Sequence, residues 1–436
     1  MVIIIRKLLP VVLALCMVLV ACGQNEQVGS ASTPEAEQSE SVSSVVESSD
    51  SIAETESDIE ETPEPEQNIP LHKTGQFRDM DVPSFLAEIG PGYSETHLAE
   101  CNATIGYDKS YQTASSRMAR TIARQYSDQK HVEIPDLSSE WFAHLKSEGF
   151  RSIRFQVTWF NHTNDETYQI EQAWLARVEE LVNLAMEQDL YCLININWDM
   201  SANYRDTHGI DEDRPGWLTL DGEPEVEERF AAVWQQIAEY FKDYDEHLFF
   251  ESMNEPLEEE YSQHDAPDEI LSNLNRLNQI FVDSVRDTGG NNAQRFLLVP
   301  PYFGRGAEHN LTAFVLPDDP ANHTVVSMNS YMDDFADDAH EWTPDSNNNP
   351  FIAIEKYLAP KGIGVVFTEA GSEINAHSIQ SRIDFTRYFV AEADRLHIPI
   401  IYYGSDSVYD DWWFRLYDWK TYEPFQPEII AILMGQ

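Results

Sequence analysis

The chain has 436 residues, enough for one large domain with appendages or two modest ones, and a formal net charge of −48. That charge opposes binding to nucleic acid or to an anionic membrane surface, and leaves neutral or cationic ligands open. Ten Trp and an aromatic fraction of 11% suit a surface that stacks flat apolar faces.

The N-terminus is read first. Arg6 and Lys7 precede the apolar run LLPVVLALCMVLVA, which is too short and too early for an ordinary spanning helix. LVAC at 19–22 resembles the bacterial lipobox, in which the cysteine is acylated and becomes the new N-terminus. Residues 1–21 are therefore expected to be a lipoprotein signal peptide. Cys22 is the expected lipidation site, and the chain is expected on the bacterial cell surface, held to the membrane through that lipid alone. Of the four cysteines, Cys16 leaves with the signal and Cys22 carries lipid. Cys101 and Cys192 remain, so one bridge stays open and a disulfide framework does not. No clustered Cys/His spacing points to zinc, and neither metal nor cofactor is expected.

From Gln24 to His72 there are thirteen acidic residues and no Lys or Arg. Such a segment cannot bury enough apolar surface to offset its ordering entropy. Residues 22–75 are expected to form a disordered, extended tether, and residues 76–436 the folded domain. Without the thirteen charges the remainder still carries −35.

Beyond residue 80 the pattern alternates between strand and helix. Strands are expected at EIGPGYS (88–94), SIRFQVTW (152–159), YCLININWD (191–199) and HLFFESMNEP (247–256), then at FLLVPPY (296–302), TVVSMNSYM (324–332), IGVVFTEAG (363–371) and IPIIYYGSDS (398–407). Helices are expected at WLARVEELVNLAMEQ and EERFAAVWQQIAEYFKDY, and near 268–287, 351–359, 378–396 and 425–434. Eight near-continuous apolar strands, most followed by a helix, predict an α/β fold, a (β/α)8 TIM barrel. The alternative is an open doubly wound sheet, against which the missing GxGxxG turn counts.

In such a barrel, chemistry gathers at the C-terminal strand ends. Those ends carry Arg154, then Asn197 and Asp199, Asn254 and Glu255, Asn329 and Tyr331, Glu369, and Tyr403. Strict alternation would put Glu251, Met253 and Glu255 on one face of their strand and Val365, Phe367 and Glu369 on one face of theirs, which allows both glutamates to point into one mouth. Two carboxylates facing each other across a cleft are what a retaining glycosidase needs, one as acid/base and one as nucleophile. Arg154 could hold the nucleophile ionised, and Asn254 could bind the sugar.

These motifs resemble glycoside hydrolase family 5, the cellulase-like barrel enzymes, over roughly residues 85–435. FESMNEP resembles its acid/base motif, VVFTEAG its nucleophile strand, and GFRSIRFQVTW the strand carrying its arginine. The resemblance implies Glu255 as acid/base, Glu369 as nucleophile, Arg154 as the nucleophile's partner and Tyr331 as a nearby hydroxyl. It also implies a divergent member. Asn197-Trp198 stands where the family carries His-His, Asn329 where it carries a strand-six His, Tyr403 where it carries a Trp, and ETHLAEC where it carries a stretch like LGNTLDA. Asn197, Asn329 and Tyr403 are accordingly read as altered sugar-binding positions, with Trp198 as a stacking platform.

The reading that follows is a monomeric, surface-anchored, retaining endo-β-glucanase acting on polysaccharide or oligosaccharide. Its rivals are a catalytically impaired glycan-binding lipoprotein on the same barrel, and a transporter's solute-binding lipoprotein, which has no need of the two glutamates. DDWWFRLYDW (410–419) is read as either a sugar platform or a self-packed loop. MDDFADDAHE (332–341) is read as a solvated loop rather than a calcium site. His162 and His208 are read as surface residues.

Overall fold

The structure, a computed structural model, describes residues 71–96, 98, 137–197, 199, 217–258, 261, 266–332, 344, 349–372, 377–404, 414–418 and 421–436. Cys22, Cys101, Trp198, His208, residues 333–341, 410–413 and 419 lie outside the described residues, and with them the calls made there. No helix among the described residues is long and apolar enough to cross a membrane.

Eight parallel strands close into a barrel in sequence order. They are β1 (Gly92–Glu95), β2 (Ser152–Phe155), β3 (Tyr191–Asn195), β4 (Leu248–Glu251), β5 (Leu297–Val299), β6 (Thr324–Tyr331), β7 (Val365–Gly371) and β8 (Ile400–Tyr402). Among the described residues the helices are α1 (Val82–Ile89), α2 (Ser139–Glu148), α3 (Gln172–Met186), α4 (Pro224–Phe241), α5 (Asp268–Asp287), α6 (Glu308–Ala313), α7 (Pro350–Tyr357), α8 (Ile379–Arg395) and α9 (Pro427–Leu433). The expected TIM barrel is therefore the observed fold.

Apolar surface is buried in two shells. Outside the barrel, Val326, Met328, Val365 and Phe367 join the helix-facing core, where Phe367 meets Phe389 at 4.7 Å and Phe351 at 5.5 Å. Inside it, Leu193, Phe249, Leu298, Val325, Val366 and Ile401 form a second cluster. Helix α1 closes that cluster from below: Phe85 stacks on Phe296 at 3.9 Å and meets Phe249 edge-on at 5.1 Å. The expected first strand began too early, because Glu88 and Ile89 belong to α1. Asp81 caps this helix by accepting from the Ser84 amide at 2.9 Å, and Pro83 sits in its first turn, so the local signals favour helix through Ile89. Gly92 then lets β1 pass between its neighbours, since a Cβ there would lie 2.9 Å from Ile401 Cγ1.

Residues 71–78 run across the bottom of the barrel and are bonded to it. The Asp245 amide donates to the His72 carbonyl at 2.9 Å, and the Gly75 amide to the Asp243 carbonyl at 2.8 Å. Lys73 pairs with Glu179 at 2.7 Å, and Arg78 with Glu246 at 2.9 Å. The expected boundary at residue 75 therefore falls inside a docked stretch, whose first residues belong with the barrel. Composition pointed the other way because backbone bonds and single ion pairs leave no trace in apolar content. Deleting residues 23–75 should lower stability by about 1–3 kcal/mol in urea titrations, whereas a deletion stopping at residue 66 keeps every one of these contacts.

Candidate active site

Arg154 sits in the middle of β2, fully buried, and reaches three elements at once. Its Nε donates to Glu251 Oε2 on β4 at 2.7 Å. Its Nη1 donates to Glu369 Oε1 on β7 at 2.6 Å, and its Nη2 to Asn254 Oδ1 at 2.8 Å. Burial works against the guanidinium charge, but the Glu251 and Glu369 carboxylates more than offset it and raise its pKa. Glu251 also accepts from Asn195 Nδ2 at 2.9 Å.

Glu369 is almost fully buried and holds three donors. Oε1 takes Arg154 and the Gln156 amide, the latter at 2.7 Å, while Oε2 takes the Tyr331 hydroxyl at 2.5 Å. Burial raises its carboxyl above the usual range; Arg154 pulls it down, and the nearby charge of Glu255 pushes it up again. Burial, then the carboxylates of Glu369 and Glu255, lift the Tyr331 phenol well above its ordinary value, so that it remains a donor.

Glu255 is partly exposed at the mouth. Its Oε1 accepts from Arg305 Nη1 at 3.0 Å and from Asn329 Nδ2 at 3.1 Å. Asn329 also bonds Asn254 at 3.3 Å and accepts from the Thr368 hydroxyl at 2.9 Å. The two glutamates are thus bridged through Asn329, Asn254 and Arg154.

Strict alternation does not deliver either carboxylate. Met253 packs in the outer core, while Phe249 lies inside the barrel, so the face of Glu251 is not carried through Met253. Past Glu251 the chain leaves strand geometry, and Glu255 has a φ of +40°, a strained value for a non-glycine residue. Val365 and Phe367 face the helices, which would put Glu369 there as well. The ladder skips one residue instead: Met328 pairs with Phe367 and Asn329 with Glu369, leaving Thr368 extra. That bulge turns Glu369 into the mouth.

The other expected positions divide. Asn197 is buried and gives its amide to Gln156 at 3.0 Å, so it reaches Glu369 through Gln156. Tyr403 follows β8, partly buried, edge-on to Tyr331 at 6.1 Å and to Phe414 at 5.5 Å. Asp199 accepts from the amides of Phe160 (3.2 Å) and Trp159 (3.3 Å), and burial pushes its carboxyl up to about 7. It pins the turn after β2. Cys192 is a buried free thiol. His162 is not a surface residue: it stacks on Trp174 at 3.8 Å, because the segment after β2 folds back onto α3.

Sequence reasoning missed Gln156, Glu251 and Arg305 as members of the site. The first two were signalled by polar residues at inward spacing in apolar strands. Arg305 lies beyond β5 and carried no signal.

Residues 128–407 match the family described as cellulase (glycosyl hydrolase family 5). The chain belongs to that family. It is 33% identical over 268 residues to Endoglucanase 1 of Ruminococcus albus, covering 60% of this chain and 62% of that one. It is 31% identical over 350 residues to Endoglucanase A of the same organism, covering 77% and 86%. The chain thus spans less than two thirds of the length of several curated relatives, 62% for Endoglucanase 1 and 50% for Endoglucanase A of Clostridium longisporum. Among solved structures, a family 5 enzyme from Prevotella bryantii B14 superposes with a TM-score of 0.67 at 25% identity, over 83% of this chain and 99% of that one. A broad-specificity endoglucanase from Ruminococcus champanellensis, with cellotriose bound, gives 0.66 at 27% identity over 82% and 99%.

Replacing Arg154 by Met should strand Glu251 and Glu369 as buried carboxylates without a counter-ion. The expected cost is about 3–5 kcal/mol at neutral pH. It should shrink as the pH falls, because protonation removes the uncompensated charges; urea titrations of both proteins across pH check the sign.

Proposed function

We propose that this chain is a retaining β-glycosidase of the endoglucanase type that cleaves β-linked glucan chains by double displacement. The observation that carries the reading is the pair of glutamates at the mouths of β4 and β7, bridged by Arg154, Asn254 and Asn329 and differing in environment. Glu369 is buried among three donors; Glu255 is partly open to the cleft.

Glu369 acts as nucleophile. Oε1 is engaged by two nitrogen donors, which leaves Oε2, held by the Tyr331 hydroxyl, as the attacking atom. As the Oε2–C1 bond forms, the bond to the leaving oxygen breaks and Glu255 gives that oxygen its proton. In the second step Glu255, now a carboxylate, takes a proton from water, the water oxygen bonds to C1, and Glu369 departs. Asn254 is the sugar-binding amide, Gln156 and Asn197 hold the nucleophile in place, and Tyr403 lines the sugar path. The relatives' names and the cellotriose and xyloglucan oligosaccharide bound by solved neighbours support a β-glucan substrate class. The lipobox at 19–22 supports a chain anchored through Cys22 on the outer face of a bacterial membrane, with the acidic segment that follows as its tether.

Two observations favour the second reading, a glycan-binding lipoprotein with a weakened acid step. Arg305 pairs with the very carboxylate that must donate a proton, and Asn329 stands where the family's histidine is expected.

Glu369→Ala should abolish turnover of every substrate, while Glu255→Ala should fail mainly on poor leaving groups and recover with azide as a β-glycosyl azide. Proton NMR of the first-formed product should show retention; an inverted anomer would refute double displacement. Wild-type chain that binds β-glucan without ever releasing reducing ends would decide for the second reading.

The pH profile has a definite sign. Attack needs ionised Glu369, whose pKa is raised, and that form is lost as pH falls through the raised value. The acid limb of kcat/KM should therefore lie above the range of an ordinary carboxylate, with Tyr331→Phe altering its position.

A further inference from the structure

His72, Asp245 and His247 meet on the face of the barrel opposite the strand mouths. His72 Nδ1 lies 2.8 Å from Asp245 Oδ2, and His247 Nδ1 lies 3.0 Å from Oδ1 of the same carboxylate. One donor atom from each residue falls within 4.8 Å of the other two. The two imidazole rings are 4.3 Å apart at 53°, and His247 also stacks on Tyr191 at 4.4 Å. The rings are held in orientation by these contacts.

Hydrogen bonding alone does not satisfy the cluster with neutral rings. If each Nδ1 carries the proton given to Asp245, each Nε2 keeps a lone pair and needs a donor. His72 Nε2, which is buried, finds none among the described residues. His247 Nε2 faces a further acceptor, Asp189 Oδ1, at 3.6 Å. With the protons moved to Nε2, Asp189 is served at His247, but two Nδ1 lone pairs then converge on a carboxylate. A cation at the point of convergence removes the conflict. An outward N–H facing a carboxylate, as at His247 beside Asp189, is also the arrangement that orients metal-bound histidines.

We propose that His72 Nδ1, His247 Nδ1 and the Asp245 carboxylate bind one divalent transition ion of the zinc class, with water completing its shell. Two imidazoles and a carboxylate match such ions and not calcium or magnesium, which take oxygen ligands. The ion clips residue 72, where the docked N-terminal stretch begins, to the turn ahead of β4. The inference is independent of the catalytic reading, because the site lies at the opposite strand ends.

The test uses the purified chain, stripped with chelator and titrated with Co2+. One equivalent should produce the ligand-field absorption of a nitrogen–oxygen site, Zn2+ should displace it, and the melting temperature should rise with either ion. Protons should be released on binding, so the affinity should weaken as pH falls. His72→Gln and Asp245→Asn should each lose the equivalent, whereas His309→Gln, at a partly exposed histidine elsewhere, should keep it. The wild-type cobalt spectrum, and imidazole nitrogen couplings from bound Cu2+, stand even where a variant fails to fold. A wild-type chain whose melting temperature follows pH but ignores Zn2+ and Co2+ would show two imidazolium rings flanking Asp245 and overturn the proposal. Stoichiometric binding that survives both substitutions would overturn it equally.

Discussion

A guanidinium with no access to water governs the upper half of this barrel. An uncompensated charge there would cost several kcal/mol, so Arg154 is tolerable only with good geometry on every side. Its partners come from different parts of the chain: Glu251 on β4, Glu369 on β7, and Asn254 just past β4. Each partner is itself fixed by another amide or hydroxyl, Asn195 for Glu251, Gln156 and Tyr331 for Glu369, Asn329 for Asn254. Compensating one charge thereby sets the positions of most polar groups in the mouth. An Asn or Gln lost from this layer would leave a buried polar atom without its partner, which is why the layer holds together as a unit.

The barrel separates stability from chemistry along its axis. Below the arginine, the interior is apolar and plugged by Phe85 of α1 against Phe249 and Phe296. Above it, the backbone departs from regular geometry at both acidic positions, by a bulge at Thr368 and a left-handed φ at Glu255. Strained backbone of this kind persists only where the surroundings over-determine it. Here the plug beneath and the hydrogen-bonded layer around it supply that restraint. The bulge has a chemical consequence: it gives Glu369 to the cleft while the preceding Phe367 still packs on α7 and α8.

Of the positions expected to depart from the family pattern, Asn329 meets Glu255, while Asn197 reaches Glu369 through Gln156 and Tyr403 lies against Tyr331. Glu369 holds Arg154 and Tyr331, while Glu255 sits between Asn329 and Arg305. An amide can donate to a carboxylate but cannot titrate near neutrality, so Asn329 orients Glu255 without exchanging protons with it. Arg305, flanked by the rings of Phe303 at 4.7 Å and Tyr331 at 5.5 Å, brings a fixed charge to Glu255. Within a shared fold, such differences change the site and leave the architecture intact.

Periodicity and motif order were enough to determine the strand sequence, the barrel, and the three residues Arg154, Glu255 and Glu369, because apolar strand cores and polar strand ends are local properties of the chain. Helix α5 was legible to its ends at 268–287, since its apolar stripe alone defines it. What only the tertiary structure decided was where local rules break. Alternation assigned Glu369 to the face of Phe367, and the observed bulge reverses that, because register against β6 is set across strands and not along one. Arg305 meets Glu255, and His72 meets His247, across 50 and 175 positions, so no spacing rule could pair them. The docking of residues 71–78 was hidden for the same reason: backbone bonds to the turns at 243 and 245 depend on which surface lies within reach, and composition carries no record of that.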